Sequence, residues 1–149
     1  MQLSLNLLDG FSPGLKTEGG LRLIRDAVRR KWVQLTPEEY VRQALLHYFI
    51  HRMHYPAALI AVEKQIRYGS LIKRYDIVVY DRTHRPWLLA ECKAPGIPLQ
   101  QDTLHQLLQY HSSIPCPYWL LSNGVETCCA DACDVHQIRW MDALPVFAV

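Results

Sequence analysis

Two carboxylates and a lysine lie on two apolar segments in the middle of this 149-residue chain. Asp76 belongs to the segment RYDIVVYD at residues 74–81, and Glu91 and Lys93 belong to WLLAECK at residues 87–93. The β-branched and apolar composition predicts strands, on which side chains two residues apart point to the same face. Buried carboxylates and an ammonium group are costly unless they serve each other or a metal ion. This combination is what magnesium-dependent hydrolysis of a phosphodiester requires.

The length and composition indicate one globular domain. Half of the residues are apolar and one fifth are charged, which is ordinary for a soluble protein. The net charge of +2 is too small to indicate nucleic-acid binding by itself. Basic residues nevertheless cluster in two places, and a solvated charged surface accounts for most clusters of this kind. The clusters are Arg22, Arg25, Arg29, Arg30 and Lys31, and then Lys64, Arg67, Lys73 and Arg74.

Compartment and cysteine chemistry can also be inferred from the sequence. No segment approaches the roughly 18 apolar residues of a membrane span, and the first residues show no secretion signal. We therefore expect a cytoplasmic protein with no membrane partner, in which the five cysteines stay reduced. Cys128, Cys129, Cys133 and His136 allow a zinc hypothesis, but no Cys-x-x-Cys pair is present and adjacent cysteines rarely hold one ion.

The sequence of the first third of the chain predicts an arm followed by two helices. Weak alternation and then Gly and Pro predict an N-terminal arm over residues 1–20, with a single domain over residues 21–149. Apolar residues at helical spacing predict a helix over residues 21–32. Thr36 as the cap and Pro37 as the first helical residue predict a second helix.

This second helix is expected to end near Met53, before Pro56. Glu39 occupies the position of a capping-box carboxylate, and that role is sufficient to explain it.

The remainder of the chain predicts mainly strands. Asn123 and Gly124 predict a hairpin turn between the fourth and fifth of them. The order helix, three strands, helix, two or three strands predicts an α/β domain with a mixed central sheet flanked by helices. The expected strands are residues 59–63, 74–81, 87–93, 118–121, 125–128 and 137–140, with a helix over 99–111.

These segments resemble the PD-(D/E)xK nuclease superfamily, and more closely the small proteins related to the N-terminal domain of type I restriction enzyme R subunits. Asp followed by Glu-x-Lys is weak alone, but it is specific between a helix opening with Glu-Glu and a helix bearing Gln-x-x-x-Tyr. The Pro of the superfamily name is replaced by Tyr75. The resemblance covers about residues 22–130, through residues 26–31, 35–43 (LTPEEYVRQ), 76–80, 88–95 (LLAECKAP), 106–110 (QLLQY) and 121–124 (LSNG).

The resemblance implies a restriction-endonuclease-like core, with the order α-β-β-β-α-β plus extra C-terminal strands, and a site for Mg²⁺ or Mn²⁺. Asp76 and Glu91 are the implied ligands, and the backbone carbonyl of Cys92 could complete the oxygen shell. Lys93 is implied to orient or deprotonate the attacking water, or to steady the phosphate.

Two further elements are implied to approach this site. Glu39, with Glu38 as the alternative, matches the carboxylate that the first helix contributes. Gln106 and Tyr110 match the motif of the following helix, and their spacing of four residues places them on one helical face. Alternatively, Gln106 and Tyr110 could be ordinary exposed helix residues.

The central residues have structural interpretations as well. Asp76 could begin a strand and pair with Arg74, and Glu91 with Lys93 could form a surface ion pair on an edge strand. Glu63 lies on the strand next to the expected site, where we interpret it as structural.

The function that the resemblance implies is that of a restriction-related, metal-dependent DNA endonuclease. The alternative is a catalytically silent nuclease-fold protein that binds nucleic acid or a partner subunit. No Gly-x-x-x-x-Gly-Lys-Ser/Thr loop occurs in the sequence, so either a separate subunit supplies the motor of type I enzymes or the protein takes no part in restriction. A separate specificity subunit is expected because the chain is short, and a homodimer would allow both DNA strands to be cut.

Overall fold

The computed structural model describes residues 2–100, 102, 106, 114–134 and 136–148. Within these ranges the protein is a mixed α/β structure with ten strands and one α-helix of which both ends are described, α1 (Pro37–His47). None of the helices in this described part is long and apolar enough to span a membrane. The strands are β1 (Gln2–Leu3), β2 (Leu15–Glu18), β3 (Leu21–Arg25), β4 (Trp32–Gln34), β5 (Ile60–Tyr68), β6 (Leu71–Tyr80), β7 (Pro86–Cys92), β8 (Tyr118–Ser122), β9 (Thr127–Asp131) and β10 (Arg139–Trp140).

The main sheet is mixed and contains seven of the described strands. Its order is β1-β9-β8-β7-β6-β5, and β10 also pairs with β9. All neighbours are antiparallel except β7 and β8, which run parallel. A parallel pair requires a crossover connection, in which Asp102 and Gln106 are helical. Most of the helix predicted over residues 99–111 lies outside the described residues.

Both faces of the main sheet are covered, which explains the continuous apolar runs in its central strands. Ile77 and Val79 of β6 pack in one buried cluster with Leu45 of α1, which we call the helix-side cluster. Val78, between them, packs with Trp119 in a second cluster, the far-side cluster. The sheet therefore lies between two cores. Asp76 of β6 lies between a residue of each core, Tyr75 and Ile77.

The predicted second helix is confirmed, together with its start. The Thr36 hydroxyl accepts a hydrogen bond from the backbone N–H of Glu39 at 3.0 Å, and Pro37 is the first helical residue. The helix continues as a π-helical turn, Tyr48–Arg52, so its end agrees with the one predicted near Met53.

The helix predicted over residues 21–32 is wrong. The segment forms β3, a turn and β4, in a separate three-stranded sheet of order β2-β3-β4. Gly19 and Gly20 both have positive φ, 59° and 79°, and they form the two-residue hairpin loop that aligns β2 with β3. At the other end Asp26 accepts the backbone N–H groups of Val28 and Arg29, a turn that interrupts any helix.

The predicted strands of the main sheet are confirmed, and most of their ends lie within three residues of the predicted ones. Strands β5 and β9 extend further than expected. The Asn123 side chain accepts the N–H groups of Val125 and Glu126, and Gly124 has a φ of 89°. These contacts form the predicted hairpin turn between β8 and β9. The expected edge strand near the C-terminus is β10.

Candidate functional site

The pairing of β6 with β7 places Asp76 beside Glu91. Ile77 pairs with Ala90 in this antiparallel ladder, and the next positions on the two strands are Asp76 and Glu91, whose Cβ atoms are expected about 5 Å apart. The Asp76 carboxylate accepts the backbone N–H of Cys92 at 2.7 Å. It also shares a side-chain hydrogen bond with Glu91. Two carboxyl groups are therefore in direct contact at this point of the sheet.

The electrostatics of Glu91 follow from that contact. Burial, the charge of Asp76 and the shared hydrogen bond raise the pKa of Glu91 well above its ordinary value of 4.5, and Lys93 only partly opposes the shift. Lys93 is half-buried, and its backbone N–H donates to the carbonyl of Ser122 at 2.8 Å, beside the end of β8. Asp76 and Glu91 are therefore not both fully ionised at neutral pH unless a further positive charge lies beside them.

A third carboxylate, Glu63, lies across from Asp76 on β5. The pairs Val62 with Ile77 and Lys64 with Tyr75 bracket these two residues. Glu63 has a positive φ of 53°, a conformation that costs free energy in any residue but Gly. Tyr75 and Ile77 pack in opposite core clusters, so the alternation of β6 is also broken at Asp76.

Glu63 differs from Glu91 in that arginines surround its carboxylate. Its carboxylate oxygens lie 3.3 Å from Arg29, 3.2 Å from Arg42 and 2.7 Å from Arg74. Burial would raise the pKa of Glu63, but the charge of Arg42 and the hydrogen bonds and charge of Arg74 hold it below its ordinary value. Glu63 is therefore a stably ionised group.

Glu39 and Arg42 of α1 form a buried pair on the same side of the site. The Arg42 guanidinium donates to both carboxylate oxygens of Glu39, and the Gln43 amide donates to Glu39 at 3.1 Å. Arg42 also approaches Asp76, at 3.9 Å. Burial opposes its charge, yet the surrounding carboxylates hold the pKa of Arg42 above its ordinary value.

The turn between β3 and β4 completes this network. Asp26 is fully buried and accepts hydrogen bonds from the backbone and the side chain of Arg29. Burial would raise the pKa of Asp26, but these bonds from Arg29 keep it lowered. Gln43 accepts the backbone N–H of Ala27 at 3.1 Å, which ties the turn to α1.

These elements enclose a cleft of about 360 Å³. Asp76 and Cys92 form part of its wall, whereas Glu91 and Lys93 lie one strand further from Glu63 and are not among its lining residues. The lining residues are Arg29, Val33, Gln34, Thr36, Glu38, Glu39, Arg42, Glu63, Asp76 and Cys92. Most of them are polar or charged, as expected of a site for a polar ligand.

The structure places the predicted site residues in different positions relative to the cleft. The structure brings Asp76, Glu91 and Lys93 together. It also places both candidate carboxylates of α1 at the cleft: Glu39 is buried against Arg42, and Glu38 is exposed. The interpretation of Asp76 as a partner of Arg74 is wrong, since Arg74 pairs with Glu63.

Only one of the two site residues predicted on the helix between β7 and β8 lies in the described part of the chain. Gln106 is helical and exposed, and Tyr110 lies outside the described residues. The Cys92 thiol is buried, and its backbone N–H is the group that contacts Asp76.

Sequence reasoning missed Arg42, and it assigned Glu63 no role at the site. The i, i+3 spacing of Glu39 and Arg42 on α1 is a recognisable pattern for an ion pair. By contrast, no local pattern connects either residue with Glu63.

The donor chemistry suits a hard cation better than zinc. The described residues contain no group of three or more His, Cys, Asp or Glu that could hold a metal ion. Mg²⁺ needs only one or two carboxylates, since water and phosphate supply its other ligands, and Asp76 with Glu91 meets that need. The zinc hypothesis fails because Cys128 packs in the far-side cluster and Cys129 in the helix-side cluster, on opposite faces of β9.

Comparison with known proteins identifies a family. Residues 37–145 match the family model described as Type I restriction enzyme R protein N terminus. This range covers α1, β5 to β10 and the carboxyl pair, and it excludes the three-stranded sheet. A comparison with curated proteins finds no match.

Proposed function

Because this chain belongs to the family of type I restriction enzyme R protein N-terminal domains, we propose that it is a metal-dependent endonuclease acting on DNA. The observation that carries the proposal is the contact between Asp76 and Glu91, which raises the pKa of Glu91, with Lys93 two residues further along the chain. A divalent cation would relieve the repulsion between the two carboxylates.

The element order supports a restriction-endonuclease-like core. The chain runs from α1 through the antiparallel strands β5, β6 and β7, and returns through a crossover to β8, parallel to β7. With a helix in the crossover this is the α-β-β-β-α-β order of the PD-(D/E)xK superfamily. We propose that fold for the family-matched part of the chain.

Asp76 and Glu91 would hold the cation through their carboxylate oxygens, with the carbonyl of Cys92 as a further donor. When bound, Mg²⁺ or Mn²⁺ would polarise the phosphate and lower the pKa of a bound water molecule. The hydrogen bond from Cys92 to Asp76 fixes one carboxylate oxygen and leaves the other directed toward the cleft side, near Arg42.

Lys93 is proposed to bind the phosphate or to orient the attacking water. Its ammonium group can neutralise the negative charge that develops on the phosphate oxygens as water attacks phosphorus. Burial of the surrounding strands strengthens this interaction, because charges attract more strongly where water is excluded. Gln106 and Tyr110 keep their predicted role of approaching the site from the crossover helix.

Glu39 has a different proposed contribution. Both of its oxygens are engaged by Arg42 and Gln43, so we propose that it orients Arg42 beside Asp76. The exposed Glu38 remains the alternative carboxylate at the cleft. A homodimer, a motor subunit and a specificity subunit remain proposed partners.

Plasmid nicking by the purified protein tests the proposal. With Mg²⁺ or Mn²⁺ we expect relaxed circles to form, and EDTA should abolish them. Asp76→Asn, Glu91→Gln and Lys93→Ala should each lower the nicking rate at least about a hundredfold, because each removes a ligand or a charge that the reaction needs. Asp142→Asn, an exposed carboxylate outside the cleft, is the matched control and should nick like the wild type.

Two results would count against this proposal. Nicking that persists in EDTA, or in all three variants, would indicate a contaminating nuclease or another site. DNA binding without nicking by any form would favour the alternative, a nuclease-fold protein that binds without cutting.

A further inference from the structure

The three-stranded sheet and its turns have a larger net positive charge than the whole protein. Residues 15–34 contain six basic and two acidic side chains, a net charge of +4, whereas the whole chain has +2. The remaining residues together therefore carry −2. This sheet lies outside the range that matches the family model, residues 37–145.

The pairing of the strands separates the two faces of this sheet. Lys16 pairs with Leu23, and Arg25 pairs with Trp32. Paired residues, and residues two apart on a strand, share a face. These four side chains therefore lie on one face, and Ile24, which is fully buried, points to the other. The face that bears Trp32 is the outer one.

Trp32 holds two cations on this outer face. The Lys16 ammonium lies 4.6 Å from the centre of the indole ring, and the Arg25 guanidinium lies 5.8 Å from it. Such contacts restrict the rotamers of long basic side chains. Gly14 permits this packing, because a Cβ there would come within 3.3 Å of Arg25 and 3.6 Å of Trp32. The cations are thus positioned before any ligand arrives.

The charge on this face is only partly compensated. Lys16 pairs with Glu18 at 2.8 Å. In the part of the chain that the structure describes, no carboxylate lies within ion-pair distance of Arg25, Arg30 or Lys31. Arg30 and Lys31 are exposed in the turn that leads directly into Trp32. The face therefore presents a concentrated positive charge to solvent.

The outer face leads to the cleft. Gln34 lies two residues beyond Trp32 on β4, which places it on the same face about 7 Å away, and Gln34 lines the cleft. Arg29, in the turn before β4, lines it as well. A polyanion lying on the Trp32 face could therefore continue into the cleft without leaving the surface.

From this arrangement we infer that the β2–β4 sheet is a docking surface for the sugar-phosphate backbone of duplex DNA, which it guides into the cleft. The inference rests on the proposed function. Both contacts to the Trp32 ring are made by cations, so the ring serves to orient charges, and phosphate is the matching group. The surface should bind DNA without sequence preference, because nothing in it is arranged to read base edges.

Fluorescence anisotropy of a labelled 20-base-pair duplex in EDTA tests the inference without cleavage. The variant Arg25→Gln/Arg30→Gln removes two charges from the docking surface. Arg82→Gln/Arg85→Gln is the matched control, because it removes two exposed arginines from the turn between β6 and β7, at the end of the hairpin away from Asp76. Thermal melts of both variants check that the fold is retained.

We expect the docking-surface variant to bind roughly tenfold more weakly near 0.1 M salt. The slope of log Kd against log salt concentration should fall by up to about 1.8, since each lost phosphate contact releases about 0.9 counterions fewer. The control variant should bind like the wild type. The same loss of affinity in the presence of Asp76→Asn would show that docking is independent of the metal site.

Equal affinity of the docking-surface variant and the wild type would overturn the inference, and it would leave the proposed nuclease untouched if nicking is intact. Equal weakening by the control variant would also overturn it, because only net charge would then matter. Absence of DNA binding by the wild type at 20 mM salt, with nicking also absent, would reject both proposals and would favour an acidic protein surface as the partner of this sheet.

Discussion

Glu63 and Glu91 lie on either side of Asp76 in the main sheet, yet their surroundings are opposite. Three arginines contact Glu63, and the pKa of Glu63 is lowered mainly by Arg42 against the effect of burial. Glu91 contacts another carboxyl group, and burial together with Asp76 raises the pKa of Glu91. Burial by itself would raise the pKa of both Glu63 and Glu91, so the neighbouring charges decide that one shift is downward and the other upward.

The difference separates carboxylates whose charge is compensated within the protein from the carboxyl pair that we propose as the metal site. Glu39 and Glu63 are neutralised within the protein, and they stabilise the junction of α1 with β5. Burial and the charge of Asp76 oppose the ionisation of Glu91, and keeping a carboxyl group protonated at neutral pH costs stability. Three predictions test this comparison, from the largest effect to the smallest.

Removal of Arg42 should have the largest effect. Its side chain is 9% exposed and neutralises Glu39, which is 7% exposed. Arg42→Ala should lower the free energy of unfolding by about 3 kcal/mol, because the buried carboxylate of Glu39 then keeps only the more distant Arg29, at 3.6 Å, as a cationic partner. Arg74→Ala, which removes a 60% exposed partner of Glu63, should cost less than about 1 kcal/mol. Urea unfolding measures both, and equal losses would contradict the assignment of Arg42 as the central cation.

Neutral substitutions of Glu91 and Glu63 should act in opposite directions. In EDTA at pH 7.5, Glu91→Gln should raise the free energy of unfolding by about 1–2 kcal/mol, because a neutral amide removes the cost of suppressing the ionisation of Glu91 beside Asp76. Glu63→Gln should lower it by about 1 kcal/mol, a value reduced by the solvent exposure of Glu63. Destabilisation by both substitutions would show that Glu91 is a structural ion-pair residue.

The pH dependence gives the smallest of the three effects. Because the pKa of Glu91 is raised above its ordinary 4.5, the folded state binds more protons at this position than the unfolded state above about pH 4.5. The free energy of unfolding then falls as the pH rises. The advantage of Glu91→Gln over the wild type in EDTA should therefore be small at pH 4.5 and grow through neutrality, by about 1 kcal/mol. A constant difference across this range would contradict the raised pKa.

Sequence patterns located the central strands and the carboxyl pair well, for a physical reason. Strands buried on both faces appear as apolar runs, so a charged residue such as Asp76 or Glu91 within a run stands out. The start of α1 was equally readable, because Thr36 and Pro37 form a local cap. Contacts within a few residues and strongly buried runs are the features that a single sequence reveals.

The three-stranded sheet was not predicted, because the spacing of its apolar residues is compatible with a helix as well as with strands. Leu21, Ile24 and Trp32 have a helical spacing, but the glycine hairpin before them and the turn at Asp26 override it. The arginine network was missed for another reason. Arg42 and Glu63 are 21 residues apart, and no local pattern predicts a contact made only when α1 packs on β5.

Calorimetric titration with Mn²⁺ at pH 7 tests the central claim most directly. The wild type and Asp142→Asn should bind one ion, whereas Glu91→Gln and Asp76→Asn should bind at least about tenfold more weakly. Binding to the wild type should also release protons, because the ligands must be deprotonated and the pKa of Glu91 is raised. The release is measured as a dependence of the heat on the ionisation enthalpy of the buffer. Equal binding by all four proteins, or binding to the wild type without proton release, would contradict the account.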